Sequence, residues 1–108
     1  MPAANPNTPL DGTVNLTDTT AQNVLAASAA GHRILVTHMV VTNAHATIGT
    51  KVEIRSGTTV RYRNYAAPIG GGWSLEGRIF VGEPGEAITA RNVTTGADVD
   101  VSMSGFYI

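Results

Sequence analysis

The 108-residue chain contains no cysteine, which excludes disulfide bonds and thiolate metal sites. Aromatic residues are few, at 6%, and charged residues make up only 14%. No apolar stretch approaches the roughly 20 residues that a membrane-spanning helix needs, so no membrane partner is expected. The N-terminal residues 1–12 lack the basic and apolar pattern of a signal peptide. The sequence therefore predicts a protein assembled in the cytoplasm without cross-links.

Charge is nearly balanced, with seven Lys and Arg against eight Asp and Glu. Domains that bind nucleic acid favour a basic stripe, so this balance predicts no nucleic-acid partner. A chain of this length forms one domain. Because a small all-β domain without cross-links has a limited core, self-association is the usual additional source of stability.

Val, Thr, Gly and Ala are abundant, a composition typical of β-strands. Short apolar segments alternate with turns rich in glycine and proline, a pattern that indicates a sandwich or jelly roll. We predict an all-β, antiparallel β-sandwich of jelly-roll-like form over residues 12–108, with about eight strands. The candidate strands are residues 13–16, 23–26, 33–43, 50–55, 59–65, 73–75, 78–81, 87–93 and 98–108.

Residues 1–11 contain three of the five prolines, Pro2, Pro6 and Pro9, and show no periodicity. They predict an extended N-terminal arm, which at about 3 Å per residue would reach ~30 Å. Two interpretations remain open. The arm is either a disordered terminus or a segment that docks on a neighbouring subunit.

Residues 87–108 predict a C-terminal β-hairpin, because apolar and polar residues alternate from Val99 onward. A four-residue loop, 94–97, would join its strands. This register places Arg91 opposite Asp100 on the solvent face, a cross-strand pair of opposite charge.

A second hairpin is predicted around a three-residue loop, 56–58. This loop places Ile54 opposite Val60 and Glu53 opposite Arg61, so the apolar side chains share one face. A one-residue slip would reverse that arrangement, so the apolar pattern decides the register.

Six of the nine residues in the segment 33–41 are apolar. Strict alternation predicts three apolar residues on each face of this strand: Ile34, Val36 and Val40 on one, and Leu35, Met39 and Val41 on the other. Both faces then need a cover, and one cover is the core of the sandwich. A loop, the N-terminal arm or another subunit could cover the second, and we favour a subunit interface.

The residues that could carry chemistry do not form a recognisable motif. His32, His38 and His45 lack the spacing of a zinc site, so no metal is expected. There is no Gly-x-Ser-x-Gly nucleophile elbow, and Glu83 and Glu86 belong to a predicted turn. The sequence therefore predicts no catalytic residue, no cofactor and no enzymatic activity.

Two clusters remain as candidate surfaces. The densest basic and aromatic cluster comprises Arg55, Arg61 and Arg63 with Tyr62 and Tyr65. Its arginines are expected on an outer face, paired with Glu53 or with a partner's carboxylates. Trp73 follows a glycine run, residues 70–72, that lacks the Lys-Ser/Thr of a phosphate-binding loop. Three roles remain open for this tryptophan: a core anchor, an interface hot spot or a platform for sugar stacking.

Residues 33–108 carry the segments ILVTHMVVTNA, KVEIRSGTTVRYRNYAAPIGGGW, GEAITA and NVTTGADVDVSMSGFYI. In these segments the chain resembles small all-β virion proteins of tailed bacteriophages. The resemblance implies a non-enzymatic structural protein, foremost a capsid decoration (cement) protein. Its implied partner is the major capsid protein, its implied form a homotrimer, and its implied place the capsid exterior. The alternative is a fibre or receptor-binding module that binds surface glycans.

These considerations define one set of candidate interface residues, drawn from the arm, the strand with two apolar faces and the aromatic clusters. The set comprises Pro2, Pro6, Pro9, Leu35, Met39, Val41, Arg61, Arg63, Tyr65 and Trp73.

Overall fold

A computed structural model of the chain describes residues 8–108. Eight β-strands and no helix occur in this part of the chain, which confirms the all-β prediction. The strands are β1 (Pro9–Leu16), β2 (Gln22–Leu25), β3 (Ile34–Asn43), β4 (Thr50–Ser56), β5 (Thr59–Ala66), β6 (Gly71–Val81), β7 (Ile88–Asn92) and β8 (Val99–Tyr107).

The strands form two antiparallel four-stranded sheets. Sheet A has the order β1-β8-β3-β6, and sheet B has the order β2-β7-β4-β5. Six of the seven connections cross from one sheet to the other, and only β4 and β5 are consecutive neighbours within a sheet. Two four-stranded sheets with crossing connections are typical of an eight-stranded jelly roll, so the predicted sandwich is confirmed.

The core lies between the two sheets and consists of the inward side chains of each strand. Along β8, for example, every second residue from Val99 to Tyr107 is buried, as period-2 alternation requires. The largest fully buried side chains are Leu16, Leu25, Ile34, Val36, Met39, Val41, Val52, Ile54, Ile88, Val99, Val101 and Met103.

A β-bulge in β3 changes which of its residues face the core. Val36 lies opposite Gly105 and His38 opposite Ser104, so Thr37 is an extra residue without a partner in β8. The extra residue shifts the alternation by one position. Met39 and Val41 are therefore 0% and 1% exposed. Their predicted place on a second, outer face is wrong.

Leu35 is the only one of the three predicted outer residues of this strand that lies outside the core. It is half-buried, and Val40 shares its outer face beyond the bulge. The strand therefore has one fully buried face and one mixed outer face. The prediction of two apolar faces fails because strict alternation does not continue through Thr37.

The C-terminal hairpin is also absent. β7 lies between β2 and β4 in sheet B, whereas β8 lies between β1 and β3 in sheet A. Arg91 is consequently opposite Glu53, and Asp100 is opposite Asn15 and Thr42. Alternation identifies the face that a residue occupies but not the strand beside it, which is why this pairing was wrong.

The β4–β5 hairpin forms, with a register that differs from the predicted one. Ile54 lies opposite Tyr62, and Glu53 lies opposite Arg63. A two-residue turn, 57–58, closes the hairpin, and one extra residue of β5 forms a bulge beside it. Ser56, which was predicted in the loop, is paired with Thr59, and the extra residue in β5 is Arg61.

The start of β1 lies within the predicted N-terminal arm. Pro9 is paired opposite Phe106, so residues 9–11 belong to sheet A. A proline fits this position because β1 is an edge strand and Pro9 is its first residue. Pro2 and Pro6 lie outside the described residues.

Candidate interaction surfaces

Residues 8–108 enclose no pocket, and no three His, Cys, Asp or Glu side chains among them lie close enough to hold a metal ion. In the same part of the chain, no helix has the length and apolar character needed to cross a bilayer. The exposed side chains with a regular arrangement are those on the outer faces of the two sheets.

One apolar residue from each strand forms a row across the outer face of sheet A. Pro9 is opposite Phe106, Phe106 is opposite Leu35, and Leu35 is opposite Val81. Phe106 is 38% exposed, and Ile108, which continues the same strand direction, is 37% exposed. We call Pro9, Leu35, Val81 and Phe106 the apolar row.

The rest of this outer face is polar and acidic. Asp11, Glu76 and Asp100 occupy outward positions and are exposed. His38 Nε2 lies 3.8 Å from Glu76 Oε1. Asn15 Nδ2 donates hydrogen bonds to Asp98 (2.7 Å) and Asp100 (2.9 Å). We call this surface, with its three strand carboxylates, the acidic face.

Among the described strands of sheet A, no regularly paired outward position carries Lys or Arg. Two arginines border the acidic face. Arg33 precedes β3, where its Nε donates to the carbonyl of Gly82 (2.9 Å), and Arg78 lies in an irregular part of β6.

The outer face of sheet B has the opposite charge. Lys51, Arg55, Arg63 and Arg91 surround one carboxylate, Glu53. Four cations against one carboxylate leave a net charge of +3 on this surface, which we call the basic face. Among residues 8–108, neither Lys51 nor Arg55 has a carboxylate within ion-pair distance.

Exposed apolar side chains also border the basic face. Tyr65 lies opposite Lys51 and is 53% exposed. Val93 donates its N–H to the Lys51 carbonyl (2.9 Å) and is 41% exposed. Val60, opposite Arg55, lies at the other end of this face. Charge and apolar surface are therefore adjacent on both faces of the molecule.

The structure separates the two predicted arginines, Arg61 and Arg63. Arg63 Nη1 lies 3.4 Å from Glu53 on the basic face. Arg61 instead lies over the Phe80 ring, 5.4 Å from its centroid, and 3.8 Å from Glu83. It thus links β5 to β6 at one side of the sandwich.

Trp73 is half-buried on the inward side of β6. Its indole Nε1 lies 3.2 Å from Met39 Sδ, and its ring is tilted against Tyr62 at 5.5 Å between centroids. These contacts place the tryptophan against the core. Of its three open roles, the geometry favours the core anchor.

The three histidines lie apart. His38 is on the acidic face, and His32 lies 6.2 Å from the Tyr107 ring. His45 is in the β3–β4 connection, where Nδ1 accepts hydrogen bonds from the backbone N–H groups of Thr47 (3.1 Å) and Ile48 (3.0 Å). His45 therefore stabilises its own loop.

No protein-family model matches the chain, and no curated protein sequence matches it. Among solved structures, the chain is similar to one described as "Bacillus endospore appendages form a novel family of disulfide-linked pili". The identity is 16% and the TM-score 0.51, over 94% of this chain and 88% of that one. At this identity, the likeness shows a common fold that extends over nearly the whole of both chains.

Proposed function

We propose that this chain is a non-enzymatic structural protein of a phage virion, namely a decoration protein that binds the major capsid protein on the capsid exterior. The observation that carries the proposal is the apolar row. Pro9, Leu35, Val81 and Phe106 form a continuous apolar strip across one outer face, next to the exposed Ile108. Such strips mark contact surfaces, since burying apolar area contributes about 25 cal/mol per Å².

The position of the N-terminal residues supports the same contact. The Thr8 carbonyl accepts a hydrogen bond from Tyr107 N–H (3.2 Å), so the first described residue lies beside the apolar row. Residues 1–7, which contain Pro2 and Pro6, precede it in the sequence. In the proposal, residues 1–7 and the apolar row bind one continuous surface of the shell. The copies form homotrimers on that surface, and the virion is assembled in the host cytoplasm.

The similar appendage protein is described as disulfide-linked. This chain has no cysteine, so no disulfide can join its copies. Reducing agents are therefore expected to leave its complexes intact.

The glycan-binding alternative has less support from the geometry. It requires exposed aromatic rings, but Trp73 and Tyr62 are half-buried and lie against each other. Tyr65 is the aromatic ring with the greatest exposure in the described chain. Glycan-array binding that Tyr65→Ala abolishes would favour this alternative over capsid attachment.

Co-sedimentation with expanded empty capsids tests the proposal. Wild-type protein is expected to sediment with the capsids, and Leu35→Gln/Phe106→Gln is expected to reduce the bound fraction at least tenfold. Thr13→Gln changes a polar position on the same face and is the matched control. Wild-type binding by a folded Leu35→Gln/Phe106→Gln variant would contradict the proposal.

A truncation tests the N-terminal segment separately. Deleting residues 2–7 leaves the whole of β1 in place, because β1 begins at Pro9. We expect weaker capsid attachment or trimer formation with an unchanged midpoint of thermal unfolding. Full attachment of the truncated protein to capsids would show that residues 2–7 do not contribute to the contact.

A further inference from the structure

We infer that the acidic face of one copy docks on the basic face of a second copy, so that the chain associates with itself head to tail. The two faces belong to different sheets and lie on opposite sides of the sandwich. Every copy therefore presents both halves of the contact. The inference concerns copies that are not bound to a capsid, because the apolar row cannot contact the shell and a second copy at the same time.

The charges of the two faces are opposite in sign. Asp11, Glu76 and Asp100 are exposed carboxylates of the acidic face, and Asp98 lies beside Asp100 on the same Asn15 amide. The basic face carries +3 from its four cations and Glu53. Complementary potentials of this kind favour association and fix the orientation of the partners.

The order of the rows is also complementary. On the acidic face, the apolar row adjoins the row that contains Asp11 and Glu76. On the basic face, the row with Tyr65 adjoins the row that contains Arg63 and Arg91. Adjacent outward rows are about 6.8 Å apart in both sheets. Placing the apolar row against Tyr65 therefore brings Asp11 and Glu76 over the row of Arg63 and Arg91.

The size of the faces predicts a weak contact. Four strands about 4.8 Å apart and about eight residues long give roughly 500 Å² per face, or roughly 1,000 Å² for the two partners together. This area lies at the lower limit for a specific interface. Electrostatic attraction then decides the affinity, and salt is expected to weaken it, because the Debye length is only about 10 Å at 0.1 M.

The placement of the faces predicts an open assembly. The contact joins two different surfaces and is therefore heterologous. Because these surfaces are on opposite sides of one copy, each added copy leaves one acidic and one basic face free. Copies would accumulate in a stack whose length depends on protein concentration.

Sedimentation velocity at low and high salt tests the inference. For wild type, we expect the sedimentation coefficient to rise with protein concentration in dilute buffer at pH 7 and to return to the monomer value in 0.5 M NaCl. Wild type that sediments as a monomer at all concentrations in dilute buffer, or whose association does not respond to salt, would overturn the inference.

A charge-swap experiment identifies the faces. Asp11→Lys/Glu76→Lys places cations where the acidic face would meet a basic face, and Lys51→Glu/Arg63→Glu places carboxylates where the basic face would meet an acidic face. Each variant alone is expected to remain monomeric, and an equimolar mixture is expected to associate as an alternating stack. Failure of the mixture to associate, with circular dichroism showing both variants folded, would contradict the assignment.

A control of equal charge change separates this contact from general charge effects. Asp18→Lys/Glu83→Lys alters net charge as much as the first variant, but both residues lie in connections between strands. This control is expected to associate as wild type does. Loss of association in the control as well would show that net charge, and not the acidic face, governs it. Capsid co-sedimentation is measured separately, so either proposal can fail alone.

Discussion

Glu53 Oε1 lies 3.0 Å from Arg91 Nε, and the other carboxylate oxygen lies 3.4 Å from Arg63 Nη1. One carboxylate on β4 thus lies between guanidinium groups from both neighbouring strands. The Glu53 side chain is only 13% exposed, so solvent screens these ion pairs less than it screens fully exposed ones. This residue stabilises sheet B while lowering the positive charge of the basic face.

Glu53→Gln is expected to affect stability and self-association in opposite directions. Loss of the carboxylate leaves two arginines unpaired, which should lower the free energy of unfolding by about 1 kcal/mol in urea titration. The basic face gains charge, so association in dilute buffer should strengthen. Glu76→Gln is the matched control, because its side chain is 80% exposed. It should leave the free energy of unfolding unchanged and weaken association.

Neighbouring substitutions test the bulge at Thr37. Met39→Ala should lower the free energy of unfolding by about 2–5 kcal/mol, because it opens a cavity in the core. Val40→Ala, on the outer face, should cost less than about 1 kcal/mol. Urea titration of both variants measures the difference. If Val40→Ala lowered the free energy of unfolding more than Met39→Ala does, Val40 and not Met39 would face the core.

Engineered disulfides test the pairing of β8. The hydroxyl oxygens of Thr13 and Ser102 are 3.0 Å apart across β1 and β8. Thr13→Cys/Ser102→Cys should therefore form a disulfide in air and gain about 2–4 kcal/mol of stability. Because the natural chain has no cysteine, a thiol titration reads the result directly. Arg91→Cys/Asp100→Cys should stay reduced, and ready oxidation of this pair would indicate a β7–β8 hairpin.

A buried phenol links β8 to the segment that follows β2. Tyr107 Oη donates a 2.8 Å hydrogen bond to the Ala26 carbonyl, and Tyr107 is only 6% exposed. Tyr107→Phe should lower the free energy of unfolding by about 1 kcal/mol, with little change in packing. Tyr65→Phe, at an exposed position, should change it by less than about 0.5 kcal/mol. Thermal unfolding of both proteins provides the comparison.

Most strands could be predicted from the sequence because apolar alternation and turn residues are local signals. Residues 73–75 and 78–81 were predicted as two strands, but both belong to β6. Gly77, with φ of 109°, interrupts the apolar pattern while the backbone continues in the sheet. The sheet partner stabilises this irregular segment, and a local pattern contains no information about that partner.

The candidate surfaces could be predicted only in part. Leu35 and Pro9 were identified, whereas Phe106 was missed, although it falls on the outward positions of the alternation that buries Val99. Arginines were expected on an outer face, but the Arg91–Glu53 pair could not be predicted, because these residues are distant in sequence and become neighbours only through the strand order. The bulge at Thr37 has no distinct local signal either.

The strand order also governs how a newly made chain reaches this structure. β1 pairs along its whole length with β8, and β8 separates it from β3. Sheet A therefore cannot form on the ribosome until β8 has been synthesised, and the many distant pairings predict folding in milliseconds to seconds. Until then, the edges of β1 and β3 lack their partner and can pair with another nascent chain. We therefore expect the chain to be prone to aggregation in the interval between the synthesis of β3 and that of β8.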